Sequence, residues 1–204
     1  QGKSWVALDI CRVCLTGSVW LNGETAKRIK RIGYWDWERR GRMFRRRLKR
    51  LAATAQIEID YVTPRKPLSE SLDDLYELAA VRGYELIIID SLSIAIMTAD
   101  LMSAHEIIPR MFALHDLGVP VLLLDHQKKL QKGENARDGT AFGSMFKEAV
   151  VSMAWQAIKI DPRDFTPAYM DCVLIHRKNN FDLAPLNIEV RLTIDDARDE
   201  VHLS

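Results

Sequence analysis

Long apolar runs are missing from this 204-residue chain. None approaches the roughly 20 residues of a membrane-spanning helix, so no span and no membrane partner are expected. The start, "QGKSWVALDI", lacks the layout of a secretory signal and an initiator Met, and it reads as part of something longer. Cysteine is scarce: three thiols, an odd number, argue against a disulfide framework and for a reducing cytoplasm. Cys11 and Cys14 form C-x-x-C on a predicted helix, yet no second Cys or His pair stands nearby. Core packing is therefore expected over metal or redox use. Repeats and low-complexity segments are absent too. What is present, 48% apolar and 28% charged residues, is the composition of a soluble globular protein with one substantial core.

The net charge of +1 hides an asymmetry. From Lys27 to Arg50 the only acids are Asp36 and Glu38. In "MFRRRLKRLAATA", Phe44, Leu48, Leu51 and Ala55 fall at helical spacing, which leaves the arginines on the opposite face. That face suits nucleic-acid contact, a contact between subunits or plain solvation.

Elements alternate along most of the chain. "WVALDICRVCL" reads as a buried helix, and Ile32 to Glu38 as an aromatic-rich strand. The basic helix follows, then a strand candidate at Ile57 to Val62. Ser69 to Arg82 reads as a helix stopped by Gly83. Glu85 to Asp90 and Val119 to Asp125 are continuous apolar strands, each ending in a carboxylate. Between them Ser103 and Glu106 suggest a capping box for a helix to about Leu117, with Pro109 predicting a kink or a later start. A helix is expected near Met145 to Val151. Strands are expected at Met153 to Ile160, Met170 to His176, Leu186 to Ile194 and Glu200 to Leu203. The fold class is α/β: a mostly parallel central sheet with helices on both faces, and antiparallel strands at the C-terminal end.

In open α/β sheets ligands bind beyond the carboxyl ends of the strands, where Glu38, Asp90, Asp125 and His126 are expected. Gly2-Lys3-Ser4 matches the end of the phosphate-loop pattern G-x-x-x-x-G-K-[ST], whose first glycine would precede Gln1. A helix N-terminus there would offer N–H groups to phosphate, with Lys3 adding charge and the Ser4 hydroxyl a magnesium ligand. Asp90 suits a Walker B acid holding that metal through water. Glu38 could polarise an attacking water, and His126 or Gln127 could sense the γ-phosphate. Each feature alone has a plain reading: a chance tripeptide, a turn-capping Asp, a structural His. The stretch from His126 to Ser144 has no apolar period. Lys128, Lys129, Lys132 and Arg137 within it could follow a nucleic-acid backbone, although no aromatic platform accompanies them. An ordinary surface loop fits as well.

Together "GKSWVALDICRVCLTGSVWLNG", "IGYWDWERRGRMFRRRLKRLA", "YELIIIDSLS", "VPVLLLDHQKK" and "GTAFGS" resemble the RecA-like ATPases of the plasmid RepA-type hexameric helicases, relatives of DnaB. The resemblance implies one RecA-like domain over residues 1–204, lacking its first strand and the front of its phosphate loop. It assigns Gly2, Lys3 and Ser4 to Walker A, Glu38 to the catalytic carboxylate, Asp90 to Walker B and His126 to the sensor. It implies ATP and Mg2+ as cofactors, single-stranded DNA as partner, and a homo-oligomer, a hexameric ring whose neighbour supplies a basic finger. The family places an arginine in the helix after Gly-Ser, where this chain has only Lys147; Arg177 and Lys178 are the alternative finger. The function so implied is ATP hydrolysis driving helicase-like movement on DNA. A regulatory or DNA-maintenance ATPase that does not unwind, or a nucleotide-binding scaffold, are the other readings.

Overall fold

The computed structural model describes residues 2–51, 57–96, 104–126, 147, 150–159, 169–181, 187–195, 198 and 200–204. In chain order the elements are α1 (Lys3–Thr16), β1 (Ile32–Asp36), α2 (Gly41–Leu51), β2 (Asp60–Val62), α3 (Leu68–Arg82), β3 (Leu86–Asp90) and α4 (Leu92–Ile96). They continue with α5 (Ala104–His115), β4 (Val121–Leu124), β5 (Met153–Lys159), β6 (Tyr169–Asn179), β7 (Ile188–Asp195) and β8 (Glu200–Leu203). Two compact units result. One holds Gln1–Ile29, Arg42–Ile57 and Ser152–Ser204; the other holds Lys30–Gly41 and Glu58–Val151. No helix among the described residues is long and apolar enough to cross a membrane.

The second unit is built on a parallel sheet of order β2-β1-β3-β4. Its apolar strands are covered on both faces, as unbroken apolar runs require. Trp35, Ile87 and Ile89 share one face, packed with Leu68, Leu75 and Ala79 of α3 and Leu114 of α5. Ile32, Tyr34 and Ile88 alternate with them and are equally buried. α3 stops where its sequence says it should: Gly83 takes φ 64° and its N–H caps the Ala79 carbonyl at 2.9 Å. Pro109 lies inside α5, which is described from Ala104 onward, so the later start is not seen. Ser103 and the Glu106 side chain lie outside the described residues.

Three differences from expectation bear on the site. β1 ends at Asp36, not Glu38. The Trp37 N–H still reaches the Asp90 carbonyl at 2.8 Å, but the Asp36 carboxylate then accepts the Arg40 N–H at 2.7 Å. That bond, with Arg39 at φ 57°, turns the chain out of the strand. β2 is shorter than Ile57 to Val62. Helix α4 was not expected, because "LSIAI" is apolar except for Ser93 and too short to show a helical period.

The first unit pairs helices α1 and α2 with an antiparallel sheet, β5-β6-β7-β8. The late strands thus form a sheet of their own. Cys172, Leu174, Ile188 and Val190 make its buried centre, with Val6 of α1, Trp20 and Leu21 against them. α1 closes at Gly17, φ 69°, a left-handed cap. Cys11 and Cys172 are buried and all three thiols are free; burial pushes the Cys11 thiol up. Cys14 is half-buried, and burial raises its thiol likewise. In α2, Phe44 and Leu51 are buried while Arg42, Arg45, Arg46 and Lys49 are exposed. The Arg47 guanidinium stands 5.8 Å over the Trp5 ring.

Candidate active site

Parallel pairing sets Asp36 directly beside Asp90, so two carboxylates leave the sheet at one edge. Asp90 is fixed by the Tyr34 hydroxyl, which donates to its Oδ2 at 2.7 Å. Tyr34 can do this because its ring lies buried along β1, stacked 6.2 Å from that of Tyr61. Tyr61 in turn donates to Asp36 Oδ2. Asp36 is 3% exposed, and among the described residues its Oδ1 has no hydrogen-bond partner. Ser91 Oγ, buried directly after Asp90, has none either.

Glu38 stands on the turn that Asp36 pins. Its side chain is 10% exposed, and its two oxygens are held from opposite directions. His126 Nε2 lies 2.9 Å from Oε1, and Arg40 Nε 3.0 Å from Oε2. The imidazole is about half exposed, so it can meet solvent on one side and Glu38 on the other. Sequence placed Glu38, Asp90 and His126 at strand ends. The structure brings Glu38 and His126 into contact across 88 residues and puts Asp90 on the neighbouring strand.

Asp125 and Lys147 complete this edge. Lys147 Nζ donates to Asp125 Oδ2 at 2.7 Å and to Ser93 Oγ at 3.0 Å. Asp125 Oδ1 accepts the His126 N–H at 2.9 Å, the Ser93 N–H at 3.2 Å and the Ser93 hydroxyl. Lys147 is 3% exposed, so it serves this unit internally. Asp36, Tyr34 and Tyr61 were not singled out as site residues from sequence, and Lys147 was noted only at the family's finger position. For Asp36 a signal existed, since it is the other acid beside Glu38 in a basic stretch.

Gly2, Lys3 and Ser4 belong to the first unit. They open α1, with Gly2 at φ 104° and its carbonyl accepting the Trp5 and Val6 N–H groups. Among the described residues no side chain caps this end by a hydrogen bond, and no acid lies in its first turn. Further along, Asp9 is buried; burial raises its carboxyl above the usual range, although Arg12 at 2.8 Å works against this. Arg177 is exposed and Lys178 half-buried, both near the end of β6, which runs longer than Met170 to His176. Gln127, Lys128, Lys129, Lys132 and Arg137 lie outside the described residues. Among the described residues no three His, Cys, Asp or Glu gather into a metal-binding cluster. The hard carboxylate oxygens of Asp90 suit magnesium, which takes one or two protein oxygens and fills its shell with water and phosphate.

Residues 1–132 match the AAA domain family. No curated protein matches the chain by sequence. Among solved structures, a KaiC-like protein from the hyperthermophilic archaeon Pyrococcus horikoshii aligns over 100% of this chain and 84% of its own, at TM-score 0.62 and 13% identity. The likeness is one of fold, the α/β arrangement of RecA-like ATPases.

Proposed function

The chain belongs to the AAA domain family, and from that premise we propose that it hydrolyses ATP with magnesium and couples the reaction to movement along single-stranded DNA. The observation that carries the hydrolytic part is the Glu38–His126 contact at 2.9 Å beside Asp90. Glu38 orients a water and takes its proton as the water oxygen bonds to the γ-phosphorus. The bond to the bridging oxygen breaks, and ADP leaves with the electron pair. Lys3 balances phosphate charge at the start of α1. Magnesium, which the family resemblance implies, would supply further charge neutralisation, and Asp90 offers the kind of hard oxygen that would hold it. His126, held by Glu38, exchanges that partner for phosphate and so senses its presence.

The DNA reading rests on Lys128, Lys129, Lys132 and Arg137 following His126 in sequence, and on the family resemblance. A hexameric ring in the cytoplasm, with Arg177 or Lys178 reaching a neighbour's nucleotide, belongs to the same proposal; Arg177 is exposed as a finger must be. The test uses the full-length protein. Glu38→Gln should lower kcat about 100- to 10,000-fold, and Lys3→Ala should abolish ATP binding in an equilibrium titration. Unchanged affinity in Lys3→Ala removes the phosphate-loop reading. Turnover that single-stranded DNA does not stimulate favours a regulatory ATPase over a translocating one.

A further inference from the structure

The cluster of Lys147, Asp125 and Ser93 lies behind the residues assigned to chemistry. A buried ammonium is costly unless paired and hydrogen-bonded, and apolar residues of similar volume would serve packing as well or better. Lys147 is paired, with its side chain 4% exposed and that of Asp125 14% exposed. Its partners are informative. Asp125 follows β4 directly, and Ser93 sits on α4, three residues beyond Asp90. The α4 turn is itself anchored at Ser91, whose carbonyl accepts the Ala95 N–H at 2.9 Å. One cation therefore fastens the end of β4 to the helix that leaves the Asp90 strand.

We propose that Lys147 is a positioning residue for the Glu38–His126 pair, acting through Asp125. Lys147 holds Asp125 Oδ2 at 2.7 Å, which fixes the carboxylate's rotation. Oδ1 of the same carboxylate then takes the His126 N–H at 2.9 Å. His126 so oriented meets Glu38 with Nε2 at 2.9 Å. Without the cation Asp125 loses its charged partner, the carboxylate can rotate about the Ser93 bonds on Oδ1, and the His126 N–H and the Nε2–Glu38 contact are held less firmly. Lys147 meets no nucleotide in this role, so turnover depends on it and affinity does not. Removal of an outer partner of this kind typically costs about 10- to 100-fold.

The inference rests on the ATPase reading above, and one set of measurements separates the two. Full-length wild type, Lys147→Met, Asp125→Asn and the double variant are assayed for kcat per folded molecule and for ATP Kd, with circular dichroism giving the folded fraction. Each single variant should lose about 10- to 100-fold in kcat with Kd within about twofold. The double variant should be no slower than the slower single, because both act along one path. It also leaves no unpaired buried charge, so it remains informative if a single variant fails to fold. Unchanged kcat in any folded variant, losses that multiply, or losses matched by weaker ATP binding would overturn the positioning role. Wild type that does not hydrolyse ATP overturns the ATPase reading and this inference with it; active wild type matched by Lys147→Met overturns the inference alone.

Discussion

Replacing Gly33 by Ala tests how strand β1 is seated, and with it the edge that carries Asp36 and Glu38. Gly33 lies mid-strand, in register with Asp60 on one side and Ile87 on the other. A Cβ there would stand 2.8 and 2.9 Å from two Tyr84 ring carbons and 3.1 Å from Trp35 Nε1. Carbon atoms pack at about 3.5–4.0 Å, so the ring has to retreat. It has little room, being 3% exposed within the cluster of Trp35, Ile87 and Ile89. Its hydroxyl is tethered as well. Burial and then the neighbouring Asp60 push the phenol up to about 12, and a hydrogen bond joins the two. Overpacking of this kind costs about 1–3 kcal/mol. Restricting the unfolded chain returns roughly 0.4–1 kcal/mol, which from the middle of both ranges leaves a net loss of about 1 kcal/mol. Urea unfolding measures it, alongside Tyr84→Leu and the double variant. Removal of the ring relieves the clash, so the double variant should be more stable than the sum of the singles by about 1 kcal/mol. A neutral Gly33→Ala, or strictly additive losses, would refute the account.

Two further predictions concern stability elsewhere. Tyr61→Phe removes a donor from the buried Asp36 carboxylate, which keeps the Arg40 N–H at 2.7 Å; a loss of about 1–3 kcal/mol should appear in urea melts, and no loss would mean the bond contributes nothing. In the antiparallel sheet, Arg191 hydrogen-bonds Asp171 at 2.7 and 2.8 Å and holds its carboxyl below the ordinary 3.8. A depressed carboxyl stabilises above its unfolded value and loses that contribution as pH falls through the folded one. Arg191→Gln should therefore be less stable than wild type at pH 7, and the gap should close below about pH 4. A gap that widens in acid would contradict the assignment.

The parallel strands were legible because burial on both faces leaves an unbroken apolar run, and "LIIID" and "VLLL" are such runs. Asp90 was legible for a related reason, since a polar residue that ends such a run lies at the sheet's edge; Glu38 and His126 stand two residues past the strand ends that Asp36 and Leu124 mark. Helix α3 announced its own end through Gly83, since only a left-handed residue closes a helix that way. Less was legible where signals are ambiguous. The end of β1 at Asp36 depended on which of two nearby acids would turn back to the chain, and α4, five residues with Ser93 as the one polar side chain, was too short to show a period.

Local chemistry in the sequence thus determined the strands, the caps, the buried thiols and the acids at the sheet edge, because each depends on neighbours within a few residues. Tertiary structure alone decided that Tyr34 and Tyr61 would hold the two carboxylates, that the late strands would form a separate sheet, and that Lys147 would point inward to Asp125. Those contacts join residues 22 to 56 positions apart. A lysine's place is fixed by the carboxylate that offsets its desolvation, and which carboxylate stands there is settled only when the strands pair.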